Sequence, residues 1–189
     1  HFINSDKIQI PLVKFGFFFL FQFQLKGSIM KKISITTTFD VFDSVSELPS
    51  EVQNLMQTAI ETRKVAYAPY SKFKVGAAIL LENGEVVIGS NQENAAYPSG
   101  LCAERTAIFY AGAKFPNVPF KIIAISATSD TNPTLTPIPP CGACRQSIAE
   151  YESRQSDSIQ IYFMGESGKV YRSGSLENLL PLSFDKNAL

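Results

Sequence analysis

The stretch FKVGAAILLENGEVVIGS (residues 73–90) decides the fold, because it has the pattern of two β-strands joined by a tight turn. Two apolar runs, FKVGAAILL and EVVIGS, lie on either side of Asn83 and Gly84. Asn-Gly is the strongest short signal for a hairpin, since a type I′ turn requires positive φ at both central residues. The sequence therefore predicts an antiparallel hairpin with a type I′ turn at Asn83-Gly84.

A helix is predicted immediately before this hairpin. Ser50 and Gln53 have the spacing of a capping box, in which each side chain satisfies a backbone N–H group of the first turn. The apolar residues that follow repeat with the period of an amphipathic helix: Val52, Leu55, Met56, Ala59 and Ile60. Pro69 disfavours helical conformation in the residue before it, so we expect the helix to end near Tyr67.

After the hairpin the pattern alternates between helices and strands. A helix is predicted to begin at about Cys102 and to stop before Pro116, and residues 120–127 have the composition of a buried strand. The Pro-rich segment TNPTLTPIPP leads to a second helix that starts near Cys141. Two further strands, SIQIYFM and KVYRS, and a short final helix, LENLL, capped by Ser175, complete the order αββαβαββα.

This order predicts the fold class. Strands 120–127 and 158–164 flank a helix, which implies a right-handed parallel crossover within one sheet. The other strands are close enough in sequence to pair antiparallel. We therefore expect an α/β fold with three layers, α/β/α, in which helices cover both faces of a mixed five-stranded sheet.

The chain of 189 residues suits one domain, which we place at residues 48–189, with residues 30–47 as its lead-in. Residues 1–29 differ in composition. Their apolar run is too short to span a bilayer comfortably, and no small-residue cleavage site follows it. Since Met30 followed by two lysines resembles a natural start, we expect residues 1–29 to be a non-native or disordered extension from an over-extended reading frame. The alternative is an added structural element.

The composition excludes some classes of protein. Lys+Arg and Asp+Glu both number 17, and this balance argues against a general nucleic-acid-binding protein, which usually has a basic excess. Three cysteines are too few, and an odd number, for the disulfide framework of a secreted scaffold. The sequence thus favours a cytoplasmic protein with reduced thiols that acts on a small molecule, with no membrane partner.

The three cysteines are the first candidates for chemistry. Cys141 and Cys144 form a Cys-x-x-Cys pair at a helix start, where the helix dipole favours thiolates. That pair alone fits a metal site or a redox-active dithiol equally well. Cys102 also opens a predicted helix, and three thiolates that converge at one end of a sheet favour a zinc site.

The residues around these cysteines indicate a catalytic rather than a structural zinc. The chain has no fourth cysteine and its only histidine is His1, so the fourth ligand position is left for a water molecule. Glu104 lies two positions after Cys102 and could move the proton of that water, although a carboxylate that stabilises the helix start is the alternative. Arg105 could draw charge off the thiolates, or form a surface salt bridge instead.

The motifs CAER (102–105) and PCGACRQ (140–146) resemble those of the zinc-dependent cytidine deaminases, specifically the small homotetrameric class. Three further segments resemble the same family in the same order: AYAPYSKFKVGAA, NQENAAY and LLPLSF. The resemblance covers about residues 50–184. It implies hydrolytic deamination of cytidine and 2′-deoxycytidine to uridine and 2′-deoxyuridine, with release of ammonia, in pyrimidine salvage by a cytoplasmic homotetramer.

The resemblance also implies a set of site residues. The zinc ligands would be Cys102, Cys141 and Cys144, with one Zn²⁺ per chain, and Glu104 would be the proton shuttle. Six residues would contact the substrate: Asn91 and Glu93 at the ribose 3′-hydroxyl, the main chain of Ala103 at the pyrimidine edge, Phe73 against the base, and Tyr97 and Phe184 in a neighbouring subunit's site. A core position for Phe73 and a loop-capping role for Asn91 are the structural alternatives.

Four other functions compete with this interpretation. A blasticidin-S deaminase shares the three-cysteine signature, whereas the NQEN segment and Phe184 favour a nucleoside substrate. A dCMP-type deaminase generally resembles a His-Ala-Glu pattern, and this chain lacks clustered phosphate-binding basic residues. A non-enzymatic zinc module is disfavoured by Glu104 beside an open ligand position, and binding of one zinc ion per chain would argue against a redox dithiol protein.

Overall fold

A mixed sheet of six strands forms the middle layer of the protein, for which a computed structural model describes residues 30–189. The strands are β1 Asp40–Phe42, β2 Phe73–Leu81, β3 Val86–Ser90, β4 Phe120–Ser129, β5 Gln160–Met164 and β6 Val170–Ser173. The helices are α1 Ser50–Arg63, α2 Ala103–Lys114 and α3 Gly142–Glu152. The predictions made for residues 1–29 lie outside the described residues. No helix within residues 30–189 is long and apolar enough to cross a membrane.

The sheet has the order β1-β6-β5-β4-β2-β3, and the predicted α/β class is confirmed. Strands β4 and β5 pair in parallel, as the crossover predicts, and the other pairs are antiparallel. The predicted number of five strands is wrong, because Asp40–Phe42 adds a sixth strand at the edge of β6. This three-residue strand is held by main-chain pairing, so its sequence carries no hydrophobic period that could reveal it.

The predicted hairpin forms, but its turn differs from the type I′ prediction. Gly84 has φ 84°, whereas Asn83 is not among the residues with positive φ. The N–H group of Gly84 donates to the carbonyl of Leu81 at 3.0 Å, and that of Leu81 donates to Glu85 at 2.9 Å. These bonds close a longer loop in which only the glycine takes the left-handed conformation, as in a G1 bulge.

Several predicted helix ends are also corrected. Ser50 is the first helical residue rather than the cap, and Gln53 donates to the carbonyls of Leu48 and Ser46 instead of closing a capping box. Helix α1 ends at Arg63, before the predicted end at Tyr67. The final helix is reduced to the 3-10 turn Leu176–Asn178, and the side chain of its N-cap residue, Ser175, makes no cap bond.

Helices cover both faces of the sheet, which confirms the three-layer arrangement. Helix α1 packs on one face, and its core contains Met56, Ala59, Ala78, Leu80, Ile122 and Ala124. Helices α2 and α3 pack on the other face, and their core contains Ala77, Ile79, Ile108, Ile123, Ile125 and Ile148. The alternation of adjacent residues between the two cores follows from the two-residue period of a strand.

Two glycines allow the helices to lie close to the sheet. A Cβ on Gly76 would come within 3.0 Å of the backbone of α1 at Ala59 and Arg63. A Cβ on Gly89 would similarly strike the backbone of α2 at Ala103 and Ala107. Since Ala77 and Gly89 are paired in the sheet, the start of α2 is fixed directly over the β2–β3 hairpin.

Candidate zinc centre

Three thiols meet where helices α2 and α3 begin. Cys102 is the N-cap of α2, Cys141 is the N-cap of α3, and Cys144 lies in the first turn of α3. The Sγ atom of Cys141 is 3.7 Å from that of Cys102 and 3.5 Å from that of Cys144. All three Sγ atoms lie within 4.8 Å of one another. Sulfur ligands at the usual Zn–S distance of about 2.3 Å are about 3.8 Å apart in a tetrahedron. The cluster therefore fits one zinc ion.

The thiols of this cluster affect one another's ionisation. In the metal-free protein the hydrogen bond from Cys144, together with Arg105, lowers the pKa of Cys102 to about 5. The same contact with Cys102, together with burial, raises the pKa of Cys144. One thiolate is thus favoured before any metal binds, and the free N–H groups of two helix starts add to this preference.

Glu104 lies in the first turn of α2 and is buried, with 4 % of its surface exposed. Burial raises the pKa of its carboxyl group to about 7, and the negative charge of Cys102 acts in the same direction. The backbone N–H of Glu104 and the nearby Cys144 thiol oppose this rise. Glu104 follows Cys102 by two positions at the start of α2, which places it close to the thiol cluster. A buried carboxyl group with such a pKa can hold or release a proton near neutral pH.

Two arginines lie near the thiols and make different contacts. Arg105 donates from Nη2 to the Sγ atom of Cys102 at 3.9 Å, the contact expected of a residue that draws charge off the sulfur. Arg145 instead donates from Nε to the carbonyl of Pro140 and from Nη1 to the carbonyl of Leu179, both at 2.8 Å. It ties the start of α3 to the C-terminal segment.

Asn91 and Glu93 follow β3 and are fixed by backbone bonds to the segment that enters β2. The amide of Asn91 accepts from the N–H of Val75 at 2.8 Å and donates to the carbonyl of Phe73 at 2.9 Å, so the loop-capping alternative describes a contact that is present. Glu93 accepts from the N–H groups of Tyr70 and Ser71. The hydrogen bonds from Ser71 and Tyr70 lower the pKa of this carboxyl group.

A cavity of about 310 Å³ joins these two polar residues to the thiol cluster. Its lining includes Asn91, Glu93, Tyr97, Cys102 and Arg105. The structure thus brings one predicted zinc ligand, the predicted ribose contacts and one aromatic residue to a single depression.

Of the other predicted substrate contacts, Ala103, Phe73 and Phe184 are not among the residues that line this cavity. Ala103 is buried at the first position of α2, and Phe73 is half-buried at the start of β2. Tyr97 and Phe184 are mostly exposed, at 77 % and 61 %. The ring of Tyr97 contacts that of Tyr70, with the ring centroids 6.4 Å apart. The carbonyl of Phe184 accepts from the side chain of Gln146 on α3.

One residue with several contacts near this end of the sheet was missed by the sequence interpretation. Arg63, the last residue of α1, donates to the hydroxyl of Ser126 and to the carbonyls of Gly165 and Glu166. Nothing in the amphipathic pattern of α1 distinguishes it from an exposed arginine at a helix C-terminus. An arginine a few residues before a loop that contains a proline, here Pro69, is too common to indicate a special role.

The part of the chain that contains these thiols and Glu104 is similar to a known protein family. The family described as the cytidine and deoxycytidylate deaminase zinc-binding region matches residues 49–156. A cytidine deaminase from Sporosarcina psychrophila is 40% identical over 139 residues, which are 74% of this chain and 95% of the relative. A cytidine deaminase from Halalkalibacterium halodurans is 48% identical over 98 residues, 52% of this chain and 70% of the relative.

A solved structure is similar over the same part of the chain. The crystal structure of cytidine deaminase from Burkholderia pseudomallei superimposes with a TM-score of 0.62 at 38% sequence identity. The match covers 72% of this chain and 100% of that chain. The fold, the thiol cluster and the sequence relatives therefore lead to one family.

Proposed function

The chain belongs to the cytidine and deoxycytidylate deaminase family, and on this premise we propose that it deaminates cytidine and 2′-deoxycytidine by hydrolysis. The products are uridine or 2′-deoxyuridine and ammonia. One observation carries the proposal: the buried carboxyl group of Glu104 lies beside three thiols that fit a single zinc ion. A redox dithiol needs only two cysteines, whereas here a third thiol lies within 4.8 Å of the other two. A purely structural zinc site has no need of a carboxyl group that moves protons.

Cys102, Cys141 and Cys144 would hold the zinc ion, which as a Lewis acid makes a water molecule nucleophilic near neutral pH when it is bound. Three thiolates place a large negative charge at this point. The N-terminal ends of α2 and α3 and the guanidinium group of Arg105 offset that charge. Arg105 therefore supports the reaction by reducing the negative charge on the sulfur ligands, without contacting the substrate.

Glu104 moves the protons of the reaction. Its carboxylate accepts a proton from the attacking water and delivers it to N3 of the cytosine ring as the water oxygen bonds to C4. The carboxylate next takes the proton of the new hydroxyl group on C4 and delivers it to the amino group. The C4–O bond then becomes the carbonyl of the product as the C–N bond breaks and ammonia leaves. Burial favours the neutral form of this carboxyl group, which helps it to hold the proton between the two transfers.

Asn91 and Glu93 would bind the ribose 3′-hydroxyl, and the backbone bonds of both side chains support this role. Those bonds fix the orientation of an amide and a carboxylate that line the same cavity. Each group keeps spare hydrogen-bonding capacity, since an amide NH₂ has two donors and a carboxylate has about four acceptor positions. A site of paired polar groups discriminates strongly against ligands that lack the hydroxyl.

The pyrimidine base would lie between the main chain at Ala103 and the ring of Phe73. The first position of α2 is buried and fixed over Gly89, so its peptide groups are held rigidly next to Cys102. The ring of Phe73, at the start of β2, is half-buried rather than part of either core. That partial exposure supports a contact with the base.

We further propose a homotetramer in which Tyr97 and Phe184 reach the site of a neighbouring subunit. Both rings are mostly exposed, and Phe109 and Tyr110 on α2 each expose about half of their surface, so several aromatic groups are available for contacts between copies. We place this enzyme in the cytoplasm, in pyrimidine salvage, since its reduced thiols suit that compartment.

The test is to incubate the zinc-loaded protein with cytidine, 2′-deoxycytidine, dCMP and blasticidin S and to follow the loss of cytosine absorbance. We expect turnover of both nucleosides and much slower turnover of dCMP and blasticidin S. Turnover of blasticidin S without turnover of cytidine would assign the chain to the rival deaminase. Turnover of none of the four by protein that contains zinc would contradict the proposal.

A further inference from the structure

Arg63 joins the C-terminal end of helix α1 to strand β4 and to the turn after β5. Its guanidinium group donates from Nη1 to the hydroxyl of Ser126 and to the carbonyl of Gly165, the latter at 3.3 Å. Nη2 donates to the carbonyl of Glu166, also at 3.3 Å. The hydroxyl of Ser126, itself fully buried, donates to Gly165 at 3.0 Å. One side chain of α1 therefore holds the turn that follows β5.

The turn at Gly165 and Glu166 in turn contacts the beginning of the Pro-rich segment. The N–H group of Glu166 donates to the carbonyl of Thr134 at 2.7 Å. Gly165 lies so close that a Cβ there would collide with the carbonyls of Thr134 and Thr136. The side chain of Thr134 is buried at this contact. A displacement of the turn would thus be passed directly to the segment.

From Thr134 the chain runs to Cys141 through Pro137, Pro139 and Pro140. Proline fixes φ and restricts the residue before it, so this stretch transmits a displacement rather than absorbing it. Arg145 binds the carbonyl of Pro140 at the other end. The segment is therefore anchored at its start by the contacts of Arg63 and at its end by α3.

Cys141 is the thiol that depends most on this segment. Cys144 is fully buried inside α3, and Cys102 precedes a helix that is packed directly on Gly89. Cys141 is exposed and lies at the junction between the Pro-rich segment and α3. Its position is set by the backbone on its N-terminal side as much as by the helix.

We propose that Arg63 is a positioning residue for the zinc site, acting on Cys141 through the turn at Gly165 and Glu166 and the Pro-rich segment. This inference rests on the proposed zinc site. It assigns to a helix on the opposite face of the sheet a part in metal retention. Loss of the guanidinium group leaves the turn with fewer contacts and allows Cys141 to leave the metal more readily.

The experiment compares zinc release by Arg63→Ala, Arg63→Lys and the wild type, with a chromophoric chelator in excess. Arg154→Ala is the matched control, because Arg154 is an arginine near the C-terminal end of α3 that pairs with Glu150 and not with the segment. We expect zinc release from Arg63→Ala to be roughly tenfold faster or more, as for other residues that orient metal ligands. The rate of zinc release from Arg63→Lys should fall between those of the wild type and Arg63→Ala, since an ammonium group cannot reproduce the divergent bonds of the guanidinium group.

Two readouts separate positioning from a general loss of stability. Zinc should leave Arg63→Ala faster than the protein unfolds globally, and the cobalt-substituted protein should show an altered d–d spectrum. If Arg63→Ala does not fold, Arg63→Lys takes its place in both measurements. Release at the rate of the Arg154→Ala control, with an unchanged cobalt spectrum, would overturn the positioning role alone. A wild type that binds no zinc would overturn the proposed function itself.

Discussion

The thiol cluster and the aromatic residues near it differ in how completely one chain builds them. At the cluster, two helix starts bring three sulfur atoms within 4.8 Å, and Glu104 is buried beside them. At the outer edge, Tyr97 and Phe184 expose most of their rings. The groups that would carry out the chemistry are therefore fixed within the chain, whereas the groups expected to close over the substrate are not.

Substitutions in these two regions should therefore impair the protein in different ways. A change at the cluster should alter turnover or metal binding in every form of the protein. A change at the exposed aromatic residues should weaken substrate binding and leave the metal and the chemical step in place. Three experiments distinguish these two kinds of failure.

The largest effect is expected for Glu104→Gln. The amide keeps the size of the side chain but cannot carry protons, so kcat should fall about 10²–10⁴-fold. Zinc content, measured by atomic absorption, should equal that of the wild type. Glu82→Gln, an exposed carboxylate in the hairpin turn, serves as the control and should keep full activity. Near-normal turnover by Glu104→Gln would remove the central role assigned to this residue.

The second prediction concerns the pH dependence of the metal-free protein. Burial raises the folded-state pKa of Glu104 from 4.5 to about 7, so its neutral form is the one that the fold favours. The stabilisation of the folded protein that comes from this preference for the neutral carboxyl group is fully present below the unfolded-state pKa of 4.5. It is lost as pH rises through the folded-state pKa of about 7. Glu104→Gln does not titrate, so relative to the wild type it should gain about 3 kcal/mol in unfolding free energy between pH 4 and pH 8.

Chemical denaturation of both proteins in the presence of a chelator measures this gain. The same Glu82→Gln control should follow the wild-type curve across the range. A constant difference between Glu104→Gln and the wild type at all pH values would mean that the carboxyl group is not desolvated in the folded protein. The contrast between a closed interior and an open outer edge would then be lost.

The third prediction addresses the outer edge. Phe184→Ala and Tyr97→Ala should each raise KM for cytidine about tenfold, because an aromatic contact with a ligand contributes on the order of 1.5 kcal/mol. Zinc content should not change, and kcat should change little. Val65→Ala removes another exposed apolar side chain and should have no effect on KM. A loss of zinc in Phe184→Ala would show that the two regions are not separable.

Local sequence patterns were enough to predict the parts of the site that depend on spacing along the chain. The Cys-x-x-Cys spacing places Cys141 and Cys144 together at one helix start. Cys102 meets them because α2 and α3 pack on the same face of the sheet, an arrangement that the order of the elements predicts. Glu104 follows from the same geometry, being in the first turn of α2. Its role as the proton shuttle, like the ligand roles of the cysteines, stays a prediction for the experiments above.

Features that depend on distant backbone partners were beyond the sequence. Strand β1 exists because β6 offers it an edge, and the contacts of Arg63 exist because the turn after β5 passes beneath it. The amide of Asn91 is used by the backbone of β2, which its position in NQEN does not reveal. The hairpin was predicted but its turn was not, since Glu85 extends the loop by pairing with Leu81.

The position of β4 between β2 and β5 has a consequence for the order of folding. Cys102 and Cys141 are separated by 39 positions, and α2 and β4 lie between them in the chain. Closing so long a loop costs conformational entropy, which the pairing of β4 with β2 repays. We therefore expect the sheet to assemble before the three thiols meet. Zinc would then bind a chain that is already folded, and we expect it to slow unfolding rather than to speed folding.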